Sequence, residues 1–362
     1  FYLPQYHAIP ENDEWWGEGF TEWTNVKKSE PLYKNHNQPR VPLKENYYNL
    51  LDENVQEWQS NLAQQYGIEA FCYYHYWFNG KKLLEKPLEN MLTNKNVTIP
   101  FCFCWANEPW TRAWDGKTKD VLMPQEYGHK EEWKHHIEYL LKFFKDERYI
   151  KINNKPVFVI YRLSSINNSR QMLELWEEEL KKHGFDGIYL ISMLTSFDNS
   201  KANNDLVSAL VEFEPMFTVR HELPLAKQGV RVIKKKFNKK INAPFTLDRL
   251  DYGYVWKKII NRQSLQKIYN KKTYLGAFVG WDNSPRKNRN ALIMENMDKE
   301  IFRESLGIQL DKSIELENDF LFINAWNEWA EGTYLEPDTI NKYDFLEIIK
   351  NELIKRKLLK KD

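Results

Sequence analysis

The sequence is poor in cysteine, in long apolar runs and in net charge. Three cysteines among 362 residues are too few for a disulfide-stapled fold or a cysteine-rich zinc site. No run approaches the roughly 18 apolar residues that a membrane-crossing helix needs, so a soluble chain without a membrane span is expected. The 52 Lys and Arg residues balance 51 Asp and Glu residues to a net charge of +1. This balance excludes a chain-wide field that would attract nucleic acid.

The cysteines also bear on the cellular compartment. Cys72, Cys102 and Cys104 are an odd number, and the last two alternate within one apolar run. Alternate residues share one face of a strand, so buried and reduced thiols are expected, which favours the cytoplasm. Phe1 is not Met, and the apolar start is typical of a strand already under way. A few preceding residues are therefore expected, and a signal peptide among them stays open.

Short apolar runs alternate with longer amphipathic runs, and neither a linker nor an internal repeat interrupts them. Eight runs are typical of buried strands, namely residues 1–7, 67–77, 99–107, 155–162, 187–194, 209–215, 273–282 and 319–328. Helical periodicity covers residues 53–66, 81–92, 130–145, 169–183, 257–270, 299–306 and 342–359, with a short connection near 199–207. This pattern predicts one (β/α)8 TIM-barrel domain over residues 1–362. An open doubly wound sheet is the alternative.

Two segments are longer than such a barrel requires. Residues 8–52 include Trp15 and Trp16, and we interpret this segment as a lid or wall over a site, because long loops are often functional. Residues 217–254 form a basic insertion with three consecutive lysines at 234–236. A lysine run is more often a solvated surface than a binding patch.

Polar and aromatic residues stand at the ends of the predicted strands. The carboxyl ends of parallel strands meet on one face of a barrel, where active sites form. Burying polar side chains there costs free energy unless they converge on a ligand that bonds them. The candidate residues are His7, Tyr74, His75, Tyr76, Trp105, Asn107, Glu108, Arg162, Glu212, Glu214, Trp281, Asp282, Trp326, Asn327 and Glu328.

Each of these groups has a structural alternative. At least one of Tyr74, His75 and Tyr76 must face inward, because strand residues alternate between faces. Arg162 and Glu214 could instead pair and brace the barrel, and His7 is more easily a structural histidine than a catalyst. A sugar platform or a structural loop is predicted for Trp105, Asn107, Glu108, Trp110, Arg112 and Trp114.

The strongest chemical signal is a pair of carboxylates just past the last strand. Glu328 and Glu331 are three residues apart, and Gly332 permits a sharp turn that lets both face the barrel mouth. Glycoside cleavage needs one group to protonate the leaving oxygen and a second to attack or to activate the attacking group. We therefore predict Glu328 and Glu331 as catalytic residues of a glycan-active enzyme.

Other function classes fit less well. A metal-dependent nucleotide-sugar transferase would carry an Asp-x-Asp motif, which the sequence lacks. A nicotinamide enzyme needs a third glycine and a preceding strand, and Gly17-x-Gly19 has neither. A non-catalytic carbohydrate-binding protein stays open, although both glutamates argue against it. No organic cofactor is expected, no residue is assigned as a metal ligand, and metal dependence stays open. The expected partner is an oligosaccharide or polysaccharide.

Five motifs, in order along nearly the whole chain, resemble the WbsX-like proteins of bacterial O-antigen and capsule gene clusters. They are FYLPQYH at 1–7, WWGEGFTEW at 15–23, FCYYHYWF at 71–78, CWANEPWTR at 104–112 and NAWNEWAEGT at 324–333. That family is related to glycoside hydrolase family 99, whose members are endo-acting α-mannosidases and α-mannanases.

The resemblance implies roles for the two glutamates. In family 99 the first glutamate of Asn-Glu-Trp-x-Glu-Gly-Thr acts as a base on the substrate 2-hydroxyl, and the second is the general acid and base. These roles would fall to Glu328 and Glu331, with retention at an α-mannose-like linkage of a bacterial surface polysaccharide. WbsX-like proteins have also been described as glycosyltransferases, so transfer onto another glycan in O-antigen or capsule biosynthesis is the alternative.

Overall fold

The computed structural model describes residues 1–112, 117–197, 204–238, 241 and 243–360. The strands are β1 (Phe71–Phe78), β2 (Lys81–Leu83), β3 (Phe101–Trp105), β4 (Trp110–Arg112), β5 (Lys117–Met123), β6 (Lys151–Ile152), β7 (Lys155–Ile160), β8 (Tyr189–Leu194), β9 (Ala209–Glu212), β10 (Asp248–Asp251), β11 (Thr273–Phe278), β12 (Leu292–Glu295), β13 (Leu321–Asn324), β14 (Asn327–Glu328) and β15 (Thr333–Tyr334). The α-helices are α1 (Pro10–Trp16), α2 (Glu22–Lys27), α3 (Glu53–Gln65), α4 (Lys86–Thr93), α5 (Lys130–Phe144), α6 (Ser169–Lys182), α7 (Met216–His221), α8 (Leu225–Asn238), α9 (Tyr252–Ile260), α10 (Leu265–Tyr269), α11 (Ser284–Lys287), α12 (Lys299–Glu315) and α13 (Asp344–Lys355).

A curled, mainly parallel sheet forms the centre of this mixed α/β fold. Its parallel strands follow one another in chain order as β1, β3, β7, β8, β9, β11 and β13. Strands β2 and β6 add to it in antiparallel pairing. Helices separate most successive parallel strands. Because these strands are parallel, their carboxyl ends, where the polar residues were predicted, lie together at one end of the sheet.

The chain start lies between the two ends of the parallel series. The backbone of Tyr2 bonds to β1 through Cys72 and Tyr74, each at 2.9 Å. Phe1 bonds on its other side to Ile323 and Trp326. Residues 1–7 nevertheless contain one isolated bridge, at Tyr2, and no extended strand. The strand predicted over residues 1–7 is therefore reduced to a single bridge at Tyr2. With seven parallel strands, the sheet does not by itself establish a full TIM barrel.

The other seven predicted strands are confirmed, with ends that shift by a few residues. β3, β7 and β9 are buried on both faces, because helices cover a parallel sheet on one side and the interior fills the other. The predicted helices at 53–66, 130–145, 169–183 and 342–359 correspond to α3, α5, α6 and α13. Within the predicted connection at 199–207, residues 199–203 lie outside the described residues.

Three helix predictions needed correction. Residues 81–92 begin with β2, which pairs with β1, and become helical only at Lys86. Residues 257–270 divide into α9 and α10, because the turn between them buries the Arg262 guanidinium against three glutamates. α12 extends to Glu315, well past the predicted end at 306.

The two long segments contain more regular structure than their sequence predicts. Residues 8–52 include α1 and α2, and residues 217–254 include α8 and β10. β10 pairs with β12 in parallel, which anchors the basic insertion to the rest of the chain. The three cysteines are buried and free, as predicted.

Candidate active site

A cavity of about 580 Å³ opens at the carboxyl ends of the parallel strands. Its volume lies within the usual range for a small-ligand site, roughly 300–1,000 Å³. Candidate residues from the sequence that line it are Tyr74, Tyr76, Glu108, Trp110, Arg162, Trp281, Glu328 and Glu331. The structure therefore brings both predicted catalytic carboxylates, five predicted binding residues and Arg162 to one cavity.

The two carboxylates lie on a tight hairpin after the last parallel strand. β14 contains Glu328 and pairs antiparallel with β15, and a short 3-10 turn, Trp329–Glu331, joins them. Trp329 stacks on Tyr334 with ring centroids 3.8 Å apart, and its indole N–H donates to Glu336 at 2.7 Å. These contacts fix the hairpin and hold Glu328 and Glu331 at the cavity.

Gly332 permits the turn, as the sequence predicts. It adopts φ +64°, and a Cβ atom there would come within 2.9 Å of the backbone and Cβ of Asp282. A side chain would therefore force the hairpin away from the loop that follows β11.

Gly332→Ala is expected to reduce both stability and turnover. Positive φ alone costs about 1 kcal/mol for alanine, and the clash with Asp282 adds a further cost of about 1–3 kcal/mol. Gly184→Ala is the matched control, because Gly184 has φ +83° and a Cβ atom there would have no neighbour within 4 Å. Urea denaturation of both variants separates the contribution of the clash. Equal losses would contradict the assigned role of Gly332.

One arginine holds three carboxylates together at this site. Arg286, on α11, donates to Glu331 at 2.8 Å, to Glu328 at 3.1 Å and to Glu22 at 2.6 Å. Glu22 also accepts from the backbone N–H of Ala330 at 3.3 Å. The guanidinium therefore fixes the side chains of both catalytic candidates and connects them to the segment before the first parallel strand.

Burial changes the protonation of this cluster. Burial raises the pKa of Glu328 to about 8, against the opposing charge of Arg286 and with a further rise from Glu331. Burial likewise raises the pKa of Glu22. Because a raised carboxyl pKa near the working pH is typical of acid–base catalysis, the cluster has the electrostatics of an active site.

Aromatic side chains form the walls of the cavity. Tyr74 and Tyr76 project into it from β1, as the prediction that at least one of the three residues faces inward requires. The Trp110 ring lies edge-on to Tyr76 at 5.3 Å and to Trp15 at 5.9 Å. Trp15 and Trp16 line the same cavity, so the segment at 8–52 contributes a wall. Flat rings of this kind suit the apolar faces of sugars.

Trp281 adds a hydrogen-bond donor to this wall. Its side chain is buried at the cavity, and its indole N–H has no acceptor within the part of the chain that the structure describes. A buried donor without a partner is costly unless a ligand or water accepts from it. A ligand-binding role for Trp281 stays a prediction.

His75 and Trp105 face the helices rather than the cavity. His75 Nε2 lies 2.9 Å from Nε2 of His136 on α5, and burial lowers its pKa to about 3. Trp105 donates its indole N–H to the carbonyl of Trp77 at 3.2 Å. Both predicted binding residues therefore pack between sheet and helices.

Asn107 and Glu108 lie at the junction of β3 and β7. The Asn107 side chain accepts from the backbone N–H of Arg162 at 2.8 Å and donates to its carbonyl at 2.9 Å. Glu108 pairs with the Arg162 guanidinium at 2.8 Å while lining the cavity. Asn107 thus aligns two strand ends, and Glu108 faces the space between them.

Arg162 and Glu214 do not form the bracing pair that was left open as a structural alternative, because each residue has another partner. Arg162 pairs with Glu108, and Glu214 accepts from Arg262 at 2.5 Å and from the Thr218 hydroxyl at 3.0 Å. The buried Arg262 also contacts Glu212. Glu214 is absent from the cavity lining and belongs to this neighbouring ion cluster.

Asp282 supports the hairpin from outside the cavity. Its carboxylate accepts from Gln38 at 2.7 Å and lies 2.9 Å from His36 Nε2, and its backbone N–H donates to the Glu331 carbonyl at 2.7 Å. Burial raises the pKa of Asp282, but the hydrogen bond from His36 and the charge of Arg40 outweigh it and lower the pKa to about 2.

The remaining predicted residues that the structure describes do not line the cavity. Asn327 bonds the backbone of Leu3 in both directions, at 2.8 and 3.0 Å. Trp326 is buried against Phe71, 5.1 Å between centroids. Arg112 lies over the Trp16 ring at 5.6 Å. Trp114 lies outside the described residues.

Sequence reasoning missed two residues of the carboxylate cluster. Glu22 stands in a long segment next to tryptophans, and Arg286 follows the strand-end group Trp281-Asp282 by a few residues. The only available signal for Arg286 was its position just after a predicted strand. Nothing in the sequence pairs it with Glu328, which is 42 positions away, or with Glu22, which is 264 positions away.

Comparison with known proteins places the chain in a family. Residues 1–349 match the family model described as Glycosyltransferase WbsX. The chain belongs to the WbsX family. Two curated relatives are the uncharacterized WxcX proteins of two Xanthomonas campestris pv. campestris strains, 34% and 33% identical over 98% of this chain. The chain spans about half the length of these relatives, 49% in each case.

Solved structures with a similar fold include glycoside hydrolases. A GH99 endo-α-mannosidase from Bacteroides thetaiotaomicron aligns with a TM-score of 0.57 at 13% identity, over 99% of this WbsX chain and 96% of its own. A glycoside hydrolase-like protein aligns with a TM-score of 0.55 at 15% identity, over 88% and 89% of the two chains. At these identities the likeness concerns the fold.

The described part of this WbsX chain contains neither a cluster of metal ligands nor a membrane-crossing helix. Among those residues, no group of three or more His, Cys, Asp or Glu side chains could hold a metal ion. No helix there combines the length and the apolar character needed to cross a membrane.

Proposed function

We propose that this WbsX protein is a glycan-processing enzyme of bacterial surface polysaccharide, and that it cleaves α-mannose-like linkages within the chain with retention. The observation that carries the proposal is the Arg286-bound pair of Glu328 and Glu331 at the mouth of an aromatic-lined cavity. Family membership supports polysaccharide metabolism, and the fold likeness to an endo-α-mannosidase supports the reaction type.

In the proposed reaction Glu328 removes the proton of the sugar 2-hydroxyl, whose oxygen attacks the anomeric carbon as the glycosidic bond breaks. Glu331, the less buried carboxyl, protonates the leaving oxygen. It then activates water to open the resulting anhydro-sugar, and the proton on Glu328 returns to the 2-hydroxyl oxygen. Arg286 keeps both groups in position, and Trp281 and the tyrosines hold the sugar rings.

The same geometry supports a complete barrel as the underlying architecture. We propose that residues 1–3 occupy the position of the eighth strand of the barrel. Their backbone bonds to β1 on one side and to the end of β13 on the other. A single (β/α)8 domain over the chain would follow from this arrangement.

Glycosyl transfer is the second candidate, and the family description favours it. Water and a sugar hydroxyl attack the same intermediate, so the same two glutamates would serve both reactions. A panel of bacterial polysaccharides and α-mannans, incubated with wild type and the Glu331→Gln variant, separates them. Release of oligosaccharides that depends on Glu331 supports hydrolysis. Longer products in the presence of acceptor glycans support transfer, and binding without turnover supports a binding protein.

The pH profile tests the role of Glu328. A base must be ionised, and its pKa is raised to about 8 in the free protein. We expect the pH profile of kcat/KM to contain an ionisation near pH 8, because kcat/KM reports ionisations of the free enzyme and the reaction needs Glu328 ionised while Glu331 is protonated. The measurement is initial rate at low substrate from pH 5 to 10.

Glu336→Gln is the matched control for this profile. Burial raises the pKa of Glu336 to about 7, but its carboxylate bonds Trp329 and Gln59 and does not line the cavity. The variant should keep the ionisation near pH 8. A wild-type profile without any ionisation between pH 7 and 9 would exclude Glu328 as the base.

A further inference from the structure

Helix α8 is oriented with its apolar side away from the protein. Surface helices ordinarily bury their apolar stripe and expose their polar side. In α8 the large apolar side chains are exposed instead, at 85% for Leu225, 52% for Val230, 55% for Val232, 54% for Ile233 and 50% for Phe237. We call these five residues the apolar face of α8.

The polar side of α8 makes the contacts that attach it to the protein. Arg231 forms a two-bond pair with the buried Asp248, at 2.8 and 2.9 Å. Gln228 donates to the carbonyl of Leu223 at 2.9 Å, and Asn238 donates to the carbonyl of Arg289. Because these polar contacts fix the rotation of the helix, the outward direction of the apolar face is a property of the fold.

Two large apolar side chains that follow α8 in the chain are also exposed. They are Ile241 and Phe245, exposed at 42% and 65%. Several large apolar side chains on one side of a surface helix are uncommon where the surface faces only water, and they indicate an interaction site. We therefore expect a binding partner to cover these apolar side chains.

The charge of the segment indicates which occupant fits. Residues 220–248 contain eight Lys and Arg residues and two acidic residues, Glu222 and Asp248, of which Asp248 pairs with Arg231, in a chain whose net charge is +1. Lys234 and Lys236 belong to α8 itself. A purely apolar protein partner would not need this excess. An anionic bilayer accepts both features, because apolar side chains enter the acyl boundary while lysines meet the headgroups.

We propose that α8 is an interfacial helix that binds the surface of an anionic lipid bilayer through its apolar face. The helix lies in the plane of the headgroups and does not cross the membrane. Asn238 bonds the loop that also contains Arg286, so the bound helix adjoins the loop of the carboxylate cluster. The inference stands on α8 alone and does not depend on the proposed reaction.

Sedimentation with lipid vesicles tests the proposal. Wild type is expected to pellet with vesicles of equimolar phosphatidylcholine and phosphatidylglycerol and to stay in the supernatant with phosphatidylcholine alone. The double variant Ile233→Glu/Phe237→Glu should lower the partition coefficient by about tenfold or more. Lys234→Gln and Lys236→Gln should each lower it by about fivefold, and added salt should reduce these differences.

Ile268→Glu is the matched control, because Ile268 is 49% exposed on another helix, α10. It should partition like wild type, and circular dichroism melting checks that all variants fold. The proposal is overturned if wild type does not pellet with anionic vesicles, or if the α8 and Ile268 variants partition alike. Concentration-dependent dimers that Ile233→Glu abolishes, without vesicle binding, would assign the face to a second copy and also overturn it.

Discussion

Glu331→Gln is expected to lower turnover by about 10²–10⁴-fold, the usual contribution of a positioned acid–base group. Glutamine has the shape of the acid but cannot deliver a proton to the leaving oxygen. Its amide oxygen can still accept from Arg286, which now donates to Glu331 at 2.8 Å. Folding and glycan binding should therefore change little. Glu328→Gln should cause a comparable loss, because the amide cannot take the proton of the sugar hydroxyl.

The measurement is release of oligosaccharides by mass spectrometry on the best glycan of the panel, with binding followed by calorimetry. Glu295→Gln is the matched control, because Glu295 also pairs with an arginine, Arg249 at 2.7 Å, but does not line the cavity. It should keep wild-type turnover. Near-normal rates in both cavity variants would refute the site assignment.

Arg286→Met is expected to destabilise the protein by about 3–5 kcal/mol at pH 8.5, because it leaves buried carboxylates without their cation. Glu22, Glu328 and Glu331 all contact this guanidinium. Without it, the raised pKa values of Glu22 and Glu328 should rise further, because the carboxylates repel one another. The loss should therefore be smaller at pH 5.5, where protonation relieves the repulsion, and should grow as the pH rises.

Urea denaturation at the two pH values gives this difference directly. Arg249→Met is the control, because Arg249 forms a more exposed pair with Glu295 and should cost only about 0–1 kcal/mol. Turnover of Arg286→Met should also fall, since Glu328 and Glu331, the proposed catalytic residues, lose the partner that positions them. Similar losses for the two variants, or a loss that is independent of pH, would contradict the proposal that Arg286 neutralises the three carboxylates.

Local pattern was a good guide to the secondary structure of the central sheet. The apolar runs that became β1, β3, β7 and β8 are long enough and sufficiently bounded by turns to identify strands. It was a poor guide where partners are distant. Residues 81–83 read as helix because their pairing with β1 depends on a hairpin, and residues 1–7 read as strand although only Tyr2 forms a bridge.

Local sequence likewise predicted one part of the candidate site and not the other. Glu328 and Glu331 were identified because their chemistry, their spacing and Gly332 are all local features of one hairpin. The alternation of β1 required neighbouring residues to face opposite sides, but it could not say that Tyr74 and Tyr76 face the cavity while His75 faces His136. That choice depends on which side the helices cover.

The sequence by itself therefore determined the order of the central parallel strands and of the main helices between them, the pair of glutamates and the resemblance to the WbsX family. Each of these depends on residues close together in the chain or on motifs. Only the tertiary structure decided that Arg286 joins Glu22 to Glu328 and Glu331, and that α8 turns its apolar face outward. Both depend on contacts between residues far apart in the chain, and such contacts are chosen by packing and charge pairing in three dimensions rather than by local pattern.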